Sequence, residues 1–171
     1  MKYLSSSLFV LCFLFSTFTH SQEINPNKLP LCPKADYSIK NDLERSKGWH
    51  NCWGRISLEM PGNFKGHIYE SEFKYGLPDG WGKVTLPDGF KYVGEFKNGI
   101  VHGHGTSTYP DGDMYVGEFS ENKKSGYGTY YYLANNAAKG DVYTGEYKND
   151  KINGLGILSK ANVLVEYGGS Q

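Results

Sequence analysis

The sequence predicts an all-β fold, an elongated single-layer antiparallel sheet of tandem β-hairpins. Three observations predict it: a tyrosine-headed segment recurs four times, a Gly-x-Gly follows each copy at a constant offset, and glycine and tyrosine are abundant. The 171 residues include 22 glycines and 14 tyrosines. This composition favours strands and tight turns over helices. Self-similarity at a fixed period is typical of repeat architectures.

The repeats begin with segments of the pattern Tyr-x-Gly-Glu-(Phe/Tyr), and their tyrosines lie 23, 23 and 28 residues apart. Their defining residues are Tyr69, Glu72, Phe73; Tyr92, Gly94, Glu95, Phe96; Tyr115, Gly117, Glu118, Phe119; and Tyr143, Gly145, Glu146, Tyr147. Eleven residues after each tyrosine comes a glycine pair: Gly80 and Gly82, Gly103 and Gly105, Gly126 and Gly128, Gly154 and Gly156. Chance does not keep such a register, so the repeat is real.

One unit shows why each repeat is predicted to be a hairpin. Residues 92–96 form a β-branched and aromatic run typical of a strand. Residues 97–99 contain Asn-Gly, which tolerates the positive φ of a tight turn. Residues 103–109 are rich in Thr and Tyr and are the predicted return strand, and residues 110–113 turn into the next unit. Such short connections require antiparallel neighbours.

Alternation along a strand predicts two opposite faces. Glycine weakens a strand unless another group fills the space of the missing side chain. We therefore expect the Tyr and Phe rings of the repeats to cover both glycines of the neighbouring Gly-x-Gly. Two aromatic columns would then form the core: Tyr69, Tyr92, Tyr115, Tyr143 and Phe73, Phe96, Phe119, Tyr147.

On the other face, four glutamates would form a third column: Glu72, Glu95, Glu118 and Glu146. They could bind a cation or a basic partner, but hydrogen bonds from a nearby turn are the favoured interpretation. A glycosidase pair is excluded, because identical repeats do not supply two opposed environments.

The combination of Tyr-x-Gly-Glu-(Phe/Tyr), Gly-x-Gly and Asp-Gly resembles the MORN (membrane occupation and recognition nexus) repeat. The resemblance covers residues 69–162 and predicts four repeats, at 69–91, 92–114, 115–142 and 143–162. Ser71 replaces one glycine, and residues 133–140 are an insertion. The resemblance implies a non-enzymatic scaffold, and the family name suggests membrane surfaces.

The flanking segments are predicted to be caps, which solenoids require. Residues 52–58 resemble residues 80–86, so residues 49–68 are interpreted as a degenerate half-repeat. Residues 163–171 are expected to form a closing strand and tail, because residues 163–167 echo the repeat with its tyrosine and glycine both changed to valine. Residues 22–48 are predicted to be an irregular leader.

The first 21 residues have the pattern of a cleaved signal peptide. A positive start precedes an apolar run from Leu8 to Phe18, and Thr19 and Ser21 fit a cut before Gln22. The run is shorter than the ~20 residues of a membrane-spanning helix, so an anchor is the less favoured alternative. A lipid-bearing Cys12 is disfavoured because leucine precedes it. We therefore predict a secreted or periplasmic protein.

Two cysteines remain in the predicted mature chain. Cys32 and Cys52 lie 20 residues apart, and a disulfide is the default in an oxidising compartment. In the chain-entropy account such a loop contributes roughly 3 kcal/mol. The less favoured alternative is a zinc site with His50 as a third ligand, since zinc sites usually show more cysteines at closer spacing.

The sequence argues against several functional classes. The 18 basic side chains equal the acidic ones in number and are scattered, so nucleic-acid binding is not expected. The predicted mature chain contains no nucleophile elbow and no phosphate loop, and we expect no enzyme and no cofactor. His102 and His104 are a weak metal candidate, better explained as a variable loop. Residues 111–113 are too short for a calcium loop.

Three functional hypotheses remain. The first is a scaffold for an unknown protein partner, whose edge strands also allow pairing into a homodimer. The second is binding to an anionic membrane surface, although no Lys/Arg cluster supports it. The third is glycan binding by surplus tyrosines: Tyr127, Tyr130, Tyr131 and Tyr132.

Overall fold

The computed structural model describes residues 27–33, 46–58, 62 and 64–161. Three sequence predictions therefore fall outside the described residues: the signal peptide at residues 1–21, much of the leader, and the closing strand at residues 163–167. They stay predictions.

The described residues form nine antiparallel strands in one open sheet, ordered as in the chain. The strands are β1 (Cys52–Ser57), β2 (Ile68–Lys74), β3 (Leu77–Thr85), β4 (Lys91–Lys97), β5 (Ile100–Thr108), β6 (Met114–Ser120), β7 (Lys123–Tyr131), β8 (Val142–Lys148) and β9 (Lys151–Ser159). The predicted all-β, single-layer fold is confirmed. Among the described residues, no helix has the length and hydropathy needed to cross a bilayer.

Each full repeat is a hairpin closed by a two-residue turn. At Asn98-Gly99, both turn residues have positive φ, 50° and 83°, as a type I′ turn requires. The other three hairpins also have positive φ at both turn residues: Tyr75-Gly76, Glu121-Asn122 and Asn149-Asp150. The return strand β5 begins at Ile100, directly after the turn, three residues earlier than predicted.

A bulge interrupts every hairpin at its glutamate. Between β4 and β5, Gly94 pairs with Gly105 and Phe96 with Val101, so residues 102–104 lie opposite Glu95 alone. The first glycine of each Gly-x-Gly lies in this bulge with positive φ, which is 61° at Gly103. Glycine adopts this conformation without steric cost. The expectation that rings cover both glycines is therefore wrong for the first one, because a bulge removes it from the regular pleat.

The core is a ladder of aromatic rings on one side of the sheet, here called the ring face. Tyr92 packs against Phe96 of its own strand, with ring centroids 5.3 Å apart, and against Phe119 of the next repeat at 5.0 Å. Tyr115 does the same with Phe119 and Tyr147, at 5.1 and 5.0 Å. These contacts are near-perpendicular, a favoured geometry for aromatic pairs. The two predicted columns thus interlock into one zigzag.

Strand β1 lies in the segment predicted to be an N-terminal half-repeat. It pairs with β2 in the register that β3 uses with β4, since Cys52 faces Phe73 as Gly80 faces Phe96. The sulfur atoms of Cys32 and Cys52 lie 2.06 Å apart, and the predicted disulfide is confirmed.

Candidate interaction surface

In the second, third and fourth repeats, the tyrosine that heads the repeat is held over the second glycine of its Gly-x-Gly. A Cβ atom at Gly105 would collide with the ring of Tyr92, and one at Gly128 with the ring of Tyr115. The Tyr92 hydroxyl donates a hydrogen bond to the Glu95 carbonyl at 3.0 Å. Burial raises the pKa of Tyr115 to about 12. Tyr92 and Tyr115 therefore have a structural role.

The glutamates lie on the opposite side of the sheet, here called the glutamate face, and two of them stabilise the bulges. The Glu95 carboxylate accepts a hydrogen bond from the main-chain N–H of His104 at 2.9 Å. Glu118 accepts one from Tyr127 at 3.0 Å. A Cβ atom at Gly103 would lie 2.6 Å from the Glu95 carboxyl carbon, so glycine is needed to admit the carboxylate. These contacts favour the structural interpretation of the glutamates.

The histidine pair does not assemble a metal centre. His104 lies 3.6 Å from Glu95, Nδ1 to Oε1, and its side chain is largely exposed. Within the described ranges, no three His, Cys, Asp or Glu side chains come together in a way that could hold a metal ion.

The ring face carries two adjoining apolar cavities, here called the groove. The larger one, of about 260 Å³, lies over the first two repeats, and the smaller, of about 130 Å³, lies toward the N-terminal half-repeat. They share Phe64, Tyr69 and Gly99 as lining residues. The larger cavity is also lined by His67, Val84, Leu86, Phe90, Tyr92, Phe96, Ile100, Val101, Phe119 and Asn122.

Two groove residues present apolar surface to solvent. Phe64 is 61% exposed, and Ile100 is also exposed. His67 lines the same cavity, and its pKa is lowered by burial, an effect that Asp88 partly opposes. Its Nδ1 atom is buried and has no hydrogen-bond partner in the described part of the chain. The groove is thus apolar, with one unsatisfied polar atom at its wall.

The four surplus tyrosines do not form one patch. Tyr130 and Tyr132 pack against the aromatic core and are partly buried. Tyr127 lies on the other face, is 63% exposed, and donates a hydrogen bond to Glu146 at 2.8 Å. Tyr131 alternates with Tyr130 along β7 and is partly buried. The predicted cluster is therefore divided between two faces because alternate strand residues point in opposite directions.

Sequence reasoning missed the groove residues because most of them lie outside the repeat-defining positions. Phe90 belongs to the connection between repeats, and Phe64 to the segment before β2. Ile100 and Val101 lie between the predicted turn and the predicted return strand, and the structure places them at the start of β5. The sequence feature that could have identified Ile100 and Val101 is their apolar character directly after the Asn-Gly turn.

The comparisons with known proteins agree with this geometry. The MORN repeat family matches four consecutive segments: residues 69–91, 92–114, 115–132 and 143–162. The chain therefore belongs to the MORN repeat proteins. MORN repeats are generally protein- or membrane-interaction modules, and the family is not an enzymatic one. No curated protein is similar enough to this chain to count as a match.

Proposed function

We propose that this chain is a secreted, non-enzymatic scaffold that holds an extended segment of a partner protein in the groove of its ring face. The observation that carries the proposal is the groove itself: two adjoining apolar cavities beside solvent-exposed Phe64 and Ile100. Exposed apolar patches of this kind mark interaction sites in soluble proteins.

The shape of the groove favours a peptide over a compact small molecule. Neither cavity reaches the roughly 300 Å³ at which small-molecule pockets begin. In an extended segment, alternate side chains point the same way, so successive ones suit two neighbouring cavities. The aromatic walls provide the rigid, apolar contact surface that is common in protein interfaces.

A non-cytosolic location is supported by the disulfide. Structural disulfides persist in oxidising compartments and are rare in the cytosol. The bond joins Cys32 to Cys52 at the N-terminal end of the sheet. Together with the predicted signal peptide, it supports secretion or export to the periplasm.

The test is a selection of random dodecapeptides displayed on phage, followed by fluorescence anisotropy with the chosen peptides. Ile100→Asp places a charge in the groove, and we expect it to weaken binding by about tenfold or more. The matched control is Val116→Asp, an equivalent change at an exposed apolar residue on the glutamate face. We expect the control to bind like the wild type.

The two alternatives are tested in parallel arms. Flotation with anionic vesicles that is lost at physiological salt, together with no selected peptides, would favour membrane-surface binding instead. Retention on polysaccharide that Tyr127→Ala abolishes would favour glycan binding. Equal loss of peptide affinity in Ile100→Asp and Val116→Asp would contradict a groove-bound partner.

A further inference from the structure

One residue of the ring face departs from the pattern of the other hairpins. In each hairpin, the ring that closes the first strand faces one residue of the return strand across the sheet. Those partners are Pro78 opposite Phe73, Val101 opposite Phe96, Lys124 opposite Phe119 and Ile152 opposite Tyr147. Three of the four positions are apolar, and the third repeat has lysine.

The Lys124 ammonium lies among tyrosine rings. Its nitrogen is 5.0 Å from the ring centroid of Tyr130 and 5.2 Å from that of Tyr109. Tyr115 and Tyr147 follow at 5.7 and 5.9 Å. All four distances are within the range of cation–π attraction. The rings therefore fix the position of the charge without neutralising it.

Within the described ranges, no carboxylate lies within 4.0 Å of this ammonium. Toward the described residues, the ammonium donates one hydrogen bond, to the Tyr109 hydroxyl at 3.1 Å, although an ammonium has three donors. Asp150 accepts the main-chain N–H of Lys124 at 2.8 Å, and Asp113 accepts the Tyr130 hydroxyl at 3.0 Å, so both contacts are to groups other than the ammonium. Lys124 thus presents a positive charge that contacts tyrosine rings but pairs with no carboxylate of the described residues.

The fold does not need a charge at this position, because the equivalent residues Pro78, Val101 and Ile152 complete their hairpins without one. Partial burial of a cation disfavours folding unless the charge is paired. A lysine here is therefore better explained by a ligand than by packing.

Lys124 adjoins the groove. Its cross-strand partner Phe119 lines the larger cavity, as does Asn122 two residues before it. A segment bound over the first two repeats and continuing along the ring face therefore meets the ammonium next. The four rings partly shield the ammonium from water. An ion pair formed in such a shielded position is stronger than one on an open surface.

We propose that Lys124 is a specificity-determining residue, which pairs with an aspartate or glutamate side chain flanking the apolar stretch of the bound partner segment. This inference rests on the proposed groove function and adds the chemical class of the partner. It makes the ring face selective, because an apolar segment without the acidic residue leaves the ammonium unpaired.

The experiment uses synthetic decapeptides with three alternating leucines and one glutamate placed at each flanking position in turn. A matched set carries glutamine instead of glutamate. Dissociation constants are measured by fluorescence anisotropy with the full chain and with Lys124→Met, Lys124→Arg and Lys123→Met. The last variant is the control, because Lys123 is the adjacent, exposed lysine of the same strand.

We expect the best glutamate peptide to bind about tenfold more tightly than its glutamine counterpart. The preference should persist in Lys123→Met and Lys124→Arg and disappear in Lys124→Met, with the glutamine peptides still bound. Unfolding of Lys124→Met in urea should show unchanged or higher stability, as its apolar equivalents imply.

Three results would overturn the proposal, and they separate it from the groove function. Equal binding of glutamate and glutamine peptides, still sensitive to Ile100→Asp, would leave the groove function intact and remove the acidic requirement. A glutamate preference that persists in Lys124→Met would place the contact elsewhere. Failure of every leucine peptide to bind, while phage-selected peptides still bind in a way that Ile100→Asp weakens, would remove the Lys124 proposal and leave the groove function intact.

Discussion

The two ends of the sheet differ in how they meet solvent. At the N-terminal end, Trp49, Trp53 and Ile56 are each only 4% exposed. Residues 30–32 lie along β1, where the Cys32 N–H donates to the Trp53 carbonyl and the Trp53 N–H to the Pro30 carbonyl, both at 2.8 Å. Hydrogen bonds and the disulfide thus cover the first edge.

At the C-terminal end, all nine residues of β9 are exposed. Leu155 is 84% exposed and Ile157 is 71% exposed. No described strand pairs with the outer edge of β9. The inner edge of β9 pairs with β8. Just after β9, Asp141 accepts hydrogen bonds from the Lys160 ammonium at 2.6 Å and from the Ala161 N–H at 3.0 Å.

The comparison teaches where this single-layer sheet is stabilised. Interior repeats bury their rings against neighbours on both sides, whereas a terminal repeat has one neighbour and needs a cap. At the N-terminal end, residues 30–32 lie against β1, and β1 covers the edge of β2. Among the described residues, no strand pairs with the outer edge of β9, so we expect this end to open more readily.

The largest expected effect comes from a matched isoleucine pair. Ile56→Ala removes a buried side chain at the covered end and should lower the free energy of unfolding by about 2–5 kcal/mol. Ile157→Ala, in the exposed strand β9, should change it by less than about 0.5 kcal/mol. Urea titration followed by circular dichroism measures both. Similar losses in the two variants would show that the ends do not differ.

The next effect concerns the disulfide. The double variant Cys32→Ser/Cys52→Ser should lose roughly 3 kcal/mol, because the cross-link restricts the unfolded chain. Hydrogen exchange should report faster exchange in β1 and β2 and unchanged rates in β9. Reduction of the wild type should reproduce the pattern, and a uniform loss along the sheet would contradict a local cap.

The smallest effect is a pH response at the other end. The hydrogen bond from Lys160 lowers the pKa of Asp141, followed by that from Ala161. A lowered folded-state pKa means that the stabilisation is present above the unfolded pKa, near 4, and is lost as the pH falls through the folded value. Exchange of the amides near Ala161 should therefore accelerate below about pH 4. Asp141→Asn should exchange quickly at neutral pH and lose the response, and an unchanged response in that variant would exclude Asp141 as its origin.

The strands could be predicted well from the sequence because the same pattern of strand and turn residues occurs in four repeats. Asn98-Gly99 marks a hairpin in any context, since both residues tolerate positive φ. The bulge was missed because Gly103 and Gly105 look equivalent by alternation, whereas only the first has positive φ. That difference arises from Glu95, whose carboxylate occupies the space beside Gly103 and accepts the His104 N–H.

The candidate site was less predictable. Repeat counting left Tyr130 and Tyr132 as surplus, yet both pack against the core. Tyr130 pairs with Tyr143 across the sheet, and its ring lies 5.8 Å from that of Tyr109. In the sequence, nothing distinguishes Lys124 from any other lysine beside a charged turn. Its significance follows from its position opposite Phe119, where the other hairpins have apolar residues.

By itself, the sequence determined the repeat, the hairpins, the antiparallel order and the cysteine pairing, since each depends on local spacing and on residues with narrow conformational preferences. The tertiary structure decided which glycine bulges, how the rings interlock, where the groove opens and which charge meets it. Those features depend on strand register, and register brings together side chains that lie tens of residues apart in the chain.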